Sequence, residues 1–423
     1  MKLLPNRHRH RPQQLPMIEL LAPAGGMESL RAAADFGADA VYAAGKAYGL
    51  RAFADNFTPD EMAEGAAYLH SRGKRLYITM NAVFHPGDFH GLKDYISLLA
   101  ETGVDAFIVS DPGVLITAKQ TAPQIPVHIS TQANTTNALT ARFWYEQGAS
   151  RVILARELSL AEIAQIRANT PKELELEAFV HGAMCIAYSG RCLLSNVFTG
   201  RSGNGGACAQ PCRWEYQISE KGYPNEYFPI LSDERGTYVL NSKDLCMIEH
   251  LNDMIDAGIV SLKIEGRMKS AYYVACVTRA YRQALDDAQA GRPFEPTLLD
   301  EIGKAGSRAY TTGFFYGNPR EQGQDIKRGK VERTCDFVGV VKSVTDENGW
   351  TLFEQRGKFS LGDTLEVLSP SGIGSLTIDG LQTLEGEDRQ SAPHPKEMLK
   401  LKSEGKLLPG DMLRISREKQ IEA

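Results

Sequence analysis

Eight short apolar runs separated by amphipathic stretches fill the chain up to residue 267, and this alternation constrains the fold more than any other feature. The runs are IELLAPAG (18–25), ADAVYAA (38–44), RLYITMNA (75–82), DAFIVSD (105–111), VHISTQAN (127–134), RVILARE (151–157), LELEAFVHG (174–182) and VSLKIEGR (260–267). Between them, Gly26–Phe36, Pro59–Ser71, His90–Glu101, Asn137–Gln147 and Ser159–Ala168 carry apolar residues at helical spacing. Eight strand-then-helix units predict an α/β fold, a TIM (β/α)8 barrel. Ser159 followed by Glu162 predicts a capping box. The phrases DFGADAV, ETGVDAF, EQGASRV and DAGIVSL precede the second, fourth, sixth and eighth runs, as if one glycine-capped loop were reused.

The seventh unit departs from the pattern. Residues 183–242 form an insertion that holds four cysteines and then two β-like segments, WEYQISE and GTYVLNS, that read as a hairpin. Helices are expected at Lys243–Ala257, feeding the eighth strand, and at Ala271–Ala290 after it. From about Thr334 the pattern becomes DFVGVVKSV, WTLFEQR, DTLEVLS, GSLTIDG and DMLRISR, split by DENG, SPSG and PGD turns, which predicts a small all-β barrel. The chain thus divides into a flexible tail (1–16), a barrel domain (17–330) and a C-terminal β domain (334–423).

A net charge of −5 over 423 residues argues against a surface that coats nucleic acid, while leaving room for a local basic patch that docks a folded RNA. No apolar run is long enough to span a bilayer, and the basic N-terminus lacks the apolar core of a signal peptide. Seven cysteines, an odd number in a long chain, imply reduced thiols and a cytoplasmic protein rather than a disulfide framework.

In a TIM barrel the site lies at the C-terminal ends of the strands, and strand alternation selects what points inward. Val127 and Ile129 should face the helices, leaving His128, Ser130 and Gln132 inside. By the same rule Lys263, Glu265 and Arg267, then Glu177, Phe179 and His181, then Tyr77, Thr79 and Asn81 point inward, and the sixth strand ends at Arg156. Glu177, His181, Lys263 and Glu265 are the candidate catalytic groups. Asn81, His128, Gln132, Arg156 and Arg267 are the candidate substrate-binding groups, suited to a small anionic molecule. A self-satisfied polar network, such as Lys263 with Glu177, competes with that reading for each residue. Trp214, Tyr216, Phe314 and Phe315 are candidate base stackers, with core packing as the alternative for each.

The clustered cysteines, Cys185, Cys192, Cys208 and Cys212, have the spacing C-x6-C-x15-C-x3-C on glycine-bearing loops. Four thiolates from separate loops favour a [4Fe–4S] cluster. Zinc, which prefers tighter knuckles, and unligated thiols stay open. Cys246 is the alternative fourth ligand.

EAFVHGAMCIAYSGRCLLS fits E-x-F-x-x-G-[SA]-[LIVM]-C-x4-G-x-C-x-[LIVM]-S at Glu177, Phe179, Gly182, Cys185, Gly190, Cys192 and Ser195. This resembles the signature of the peptidase U32 family, and LLAPAG, STQAN, GACAQPCRWEY, NSKDL and SLKIEGR are also similar to that family. Within it the chain looks most like the tRNA-hydroxylation branch. That resemblance implies prephenate-dependent, oxygen-independent hydroxylation of a tRNA wobble uridine. It also implies a [4Fe–4S] cluster on Cys185, Cys192, Cys208 and Cys212, with tRNA, a small anionic co-substrate and an electron-donor protein as partners. Collagenase-like peptidase activity, attributed to some family members, is the alternative, although the chain has no G-x-S-x-G elbow and no H-E-x-x-H helix. A zinc-stapled, non-catalytic RNA-binding partner is the third reading.

Overall fold

The computed structural model describes residues 18–416 apart from 50–54, 186, 190, 205, 215–216, 219–227, 230–242, 307, 320–322 and 324–332. Eight parallel strands close into a barrel: β1 (Glu19–Pro23), β2 (Ala40–Ala44), β3 (Arg75–Met80), β4 (Ala106–Val109), β5 (Val127–Ile129), β6 (Arg151–Ile153), β7 (Glu175–Ala183) and β8 (Ser261–Ile264). β8 closes the ring by pairing with β1, Leu21 opposite Lys263, and with β7, Ser261 opposite Glu177. The strands are near-continuously buried, as parallel strands covered by helices must be.

Helices α1 (Met27–Asp35), α2 (Pro59–His70), α3 (Leu92–Glu101), α4 (Pro112–Thr121), α5 (Ala138–Glu146) and α6 (Leu160–Ala168) follow the first six strands. Local chemistry starts them. Thr58 with Glu61 and Ser159 with Glu162 form reciprocal capping boxes, and Asp111 and Asn137 cap α4 and α5. The reused phrase is a shared turn: Gly37, Gly103, Gly148 and Gly258 all adopt positive φ, between 83° and 110°, which L side chains rarely do.

The seventh unit holds the short α7 (Leu194–Thr199) in the insertion and α8 (Leu251–Asp256) before β8. The helix expected over Lys243–Ala257 is only partly helical. Its first turn is instead a strand, Asp244–Cys246, antiparallel to the end of β7. β7 runs nine residues and outlasts its barrel neighbours, so its last backbone groups take a partner from this segment. Of the hairpin, Gln217–Ile218 pairs with Phe228–Pro229, whereas GTYVLNS (236–242) and the N-terminal tail (1–16) lie outside the described residues.

After α9 (Ala271–Gln289) and α10 (Thr297–Lys304), the C-terminal domain is a seven-stranded antiparallel sheet curled as a half-barrel. Its edge strands, Gly372–Thr377 and Gly380–Gln382, are not paired to each other, so the barrel expected from sequence is open. Met398–Lys402, a strand the sequence pattern did not flag, pairs with Trp350–Gln355. Leu365, Phe353, Leu401 and Leu413 fill the sheet's own core.

An apolar seam of Phe36, Tyr272, Cys276, Leu368 and Met412 joins the two domains, and Tyr272 stacks on Phe337 at 4.8 Å. Arg414, fully buried in the seam, donates to Glu301 at 2.6 Å and lies 2.7 Å from Glu366. Arg414→Ala removes the buried cation that both carboxylates share and leaves them paired with Lys304 at the edge of an apolar seam. It should lower stability by about 3 kcal/mol, seen as an earlier thermal unfolding midpoint; an unchanged midpoint would contradict this view of the seam.

Candidate functional site

The interior of the barrel is an ion network. The fully buried Glu177 accepts from Lys263 Nζ at 2.7 Å and from Arg151 Nη1 at 3.0 Å. Arg151 also pairs with Glu19 at 2.5 Å, and Ser261 Oγ and Tyr77 Oη donate to Glu19 at 2.8 and 2.7 Å. Two carboxylates therefore meet two cations, which offsets the large cost of burying each charge alone. Burial alone would raise the Glu19 carboxyl, but Arg151 and the hydrogen bonds outweigh it and hold it below the usual range. His128 lies inside against Tyr77, ring centroids 4.9 Å apart, and burial together with Arg151 and Lys263 pushes its imidazole well below the ordinary value, so it is neutral.

Above this network, at the C-terminal ends of the strands, a cavity open to solvent is lined by barrel and insertion residues together. Lys263 forms part of its wall beside Tyr42, with Nζ 4.4 Å from that ring, and Tyr42 Oη donates to the Ile264 carbonyl and to Glu265. Asn81, Gln132, Arg156, Glu265 and Arg267 also line it. Among the described residues the lining thus carries three cations, Lys263, Arg156 and Arg267, against one carboxylate, Glu265. Arg267 is only 5% exposed, and a buried guanidinium suits a planar anion. Arg156 also donates to the Ala183 carbonyl at 2.9 Å and to Ser189 Oγ at 3.0 Å, fastening the first turn of the insertion over the cavity. Asn134, in the left-handed region at φ 52°, donates to the Ser189 carbonyl from the other side.

Cys185, Cys192 and Cys208 line the same cavity. Cys212, in the turn Pro211–Arg213, is half-buried and does not. Among the described residues, no three His, Cys, Asp or Glu side chains stand as a preformed ligand set. The donors nevertheless fit a soft metal centre. Three thiols line one cavity, Cys185 and Cys192 from the loop after β7 and Cys208 from the loop after α7, and the Gln210 amide donates to Cys208 Sγ at 3.4 Å. Cys246 lies elsewhere: buried against Tyr281, whose hydroxyl is 3.7 Å from its sulfur, it has a thiol pushed up to about 11 by burial.

Three of the catalytic and binding candidates do not line the cavity: His128, which packs against Tyr77 in the network, Glu177 and His181. Glu177 lies under its floor and reaches it through Lys263. His181 is on the outer side of β7, caged by Tyr273, Tyr281 and Tyr310 at ring distances of 6.1, 5.4 and 5.6 Å. Strict alternation placed it inside with Glu177 and Phe179. A register shift between Lys263 and Ile264 puts Phe179 opposite the first and His181 opposite the second, so the parity of β7 flips there. Gly182, φ 105°, follows at a point where a Cβ would fall 2.7 Å from the Glu265 carbonyl. Sequence reasoning missed Tyr42, Tyr188 and Ser189 on the cavity wall. Tyr42 was findable as the one polar-tipped residue of AVYAA, whereas the other two depend on how the insertion folds back.

Residues 25–325 match Peptidase family U32, and residues 333–414 match the Peptidase family U32 C-terminal domain. The chain belongs to peptidase family U32. This U32 protein is 40% identical over 401 residues to tRNA hydroxylation protein P1 of Bacillus subtilis, covering 94% of each chain. It is 38% identical to tRNA hydroxylation protein P of Escherichia coli, covering 89% of this chain and 91% of that one. A third relative, 42% identical over 83% of this chain and 87% of its own, is an uncharacterized protease of Methanocaldococcus jannaschii.

Lys263→Met leaves Glu177 with one cation and should lower stability by about 3 kcal/mol, while adding Glu177→Gln should restore part of it; additive losses in chemical denaturation would contradict the pairing. Burial, aided by Lys269, pushes the His181 imidazole down to about 3. The unfolded chain, with an ordinary imidazole near 6.5, then binds the extra proton first. Stability contributed by neutral His181 is complete above about pH 6.5 and is lost on acidification toward pH 3, by at most about 1.4 kcal/mol per pH unit. His181→Phe should flatten that part of the stability–pH curve, and an unchanged slope would count against the buried neutral imidazole.

Proposed function

We propose that this U32 protein hydroxylates an RNA base, a uridine of tRNA, in the cavity at the C-terminal end of the barrel. The observation that carries the reading is the joint lining of one cavity by Cys185, Cys192 and Cys208 and by Lys263, Arg156 and Arg267. The names of relatives similar along most of the chain agree with it. Cys185, Cys192 and Cys208, with Cys212 as the fourth ligand, would hold a [4Fe–4S] cluster, which supplies electron transfer or activation of the oxygen donor. The chain's own residues do the rest. Arg267 and Arg156 hold the carboxylates of a small anionic donor, for which prephenate is the proposed identity. Lys263, tied to Glu177 from below, presents its ammonium group at the cavity wall, and the Tyr42 hydroxyl stands beside it. An electron-donor protein completes the proposed partners.

The peptidase reading draws less support from the geometry. The cavity serines are engaged with other groups: Ser130 Oγ takes a hydrogen bond from Asn81 at 3.2 Å, Ser189 from Arg156, and Ser195 from the Ala209 amide at 2.9 Å. His181, a candidate catalytic group, packs against Tyr281 on the outer side of β7, away from them.

Cys185→Ser should abolish the hydroxylated uridine of cellular tRNA, read by nucleoside mass spectrometry in a strain complemented with the variant. Parental levels in that strain would refute the role assigned to this cavity.

A further inference from the structure

The outer face of the cysteine-bearing insertion has its own character. Phe198 is 52% exposed and Trp214 46%, with ring centroids 6.4 Å apart and planes tilted by 50°. Tyr188, on the same insertion and 46% exposed, is part of the cavity lining. From Ala178 to Trp214 the sequence contains Arg191, Arg201 and Arg213 and no Asp or Glu, in a chain whose net charge is −5. Arg191 and Arg201 are exposed.

Large exposed aromatic side chains with arginines and no carboxylates suit a strand that offers base faces and phosphates together. An apolar protein partner would be matched by Leu193 and Val197, also exposed here, but would leave the one-sided charge without a role. We propose that this face is the landing surface for a single-stranded RNA loop, with Phe198 and Trp214 stacking loop bases, Arg191 and Arg201 meeting phosphates, and Tyr188 marking where the target base turns into the cavity. The proposal rests on the RNA-hydroxylation reading and adds the surface through which the substrate is gripped. A base stacked inside a helix cannot enter a cavity between barrel and insertion, so a splayed loop base beside the cavity edge is the geometry the chemistry requires.

The test is fluorescence anisotropy of the full-length protein, purified without oxygen, with a labelled RNA hairpin bearing a single-stranded uridine-containing loop. Trp214→Ala and Phe198→Ala should each weaken binding about tenfold or more. Trp214→Phe, which keeps a stacking face, should bind close to the parent. Arg191→Glu should weaken binding and reduce the steepness of its log–log salt dependence by about 0.7 for each phosphate no longer neutralised. The iron content of every variant should equal the parent's, which separates loss of grip from loss of the centre. Parent-like binding by all three disruptive variants would overturn the surface while leaving the hydroxylation reading intact. Parental failure to bind the hairpin, with binding of an acidic electron-carrier protein instead, would also overturn it and make the face a protein interface. The proposed binding pattern without any hydroxylated nucleoside in cells would support the surface and remove the reaction.

Discussion

The salt bridge between Lys263 and Glu177, anchored in turn by Arg151 and Glu19, is the interaction on which the rest of the structure depends. It fills the centre of the barrel with charge where most barrels of this type place branched apolar side chains. Four charged side chains from β1, β6, β7 and β8 can be buried there because each has an opposite partner within 3.0 Å. The network fixes the register of strands far apart in sequence, and it presents the ammonium group of Lys263 to the cavity above while its counter-charge stays sealed below. A cation so held costs little reorganisation when an anion arrives, which is the property a preorganised site needs.

The second constraint is the insertion, whose position is set by a small number of ties. Arg156 and Asn134 converge on Ser189 from the ends of β6 and β5, and the Val83 amide bonds the Asn204 carbonyl at 3.3 Å. These ties turn a loop rich in glycine and cysteine over the barrel mouth. They also mean that Arg156 serves the architecture of the site as well as its charge, so loss of that residue disturbs both.

Much of the fold was legible because parallel strands and their helices leave strong periodic marks: all eight runs became barrel strands, and Ser159 with Glu162 capped α6 as its spacing required. The failures have physical causes. Helical periodicity over Lys243–Ala257 was overridden by the need of β7's overhanging end for a backbone partner. His181 escaped because a single register shift reverses which face a strand residue takes, and nothing in LELEAFVHG announces the shift. Asn81, Gln132, Glu265, Arg267 and Lys263 were reachable by counting along strands. Tyr188 and Ser189 were not, since an irregular segment has no period to count.

The proposed iron–sulfur centre draws its ligands from the thiols at the barrel mouth. Mössbauer spectroscopy of iron-57-enriched protein purified without oxygen tests it most directly, alongside iron and sulfide analysis. The expected result is the quadrupole signature of a [4Fe–4S] cluster in the parent, abolished when Cys185, Cys192 and Cys208 are replaced together by serine. Stoichiometric zinc with no cluster signal, or a cluster signal that survives the triple replacement, would contradict it.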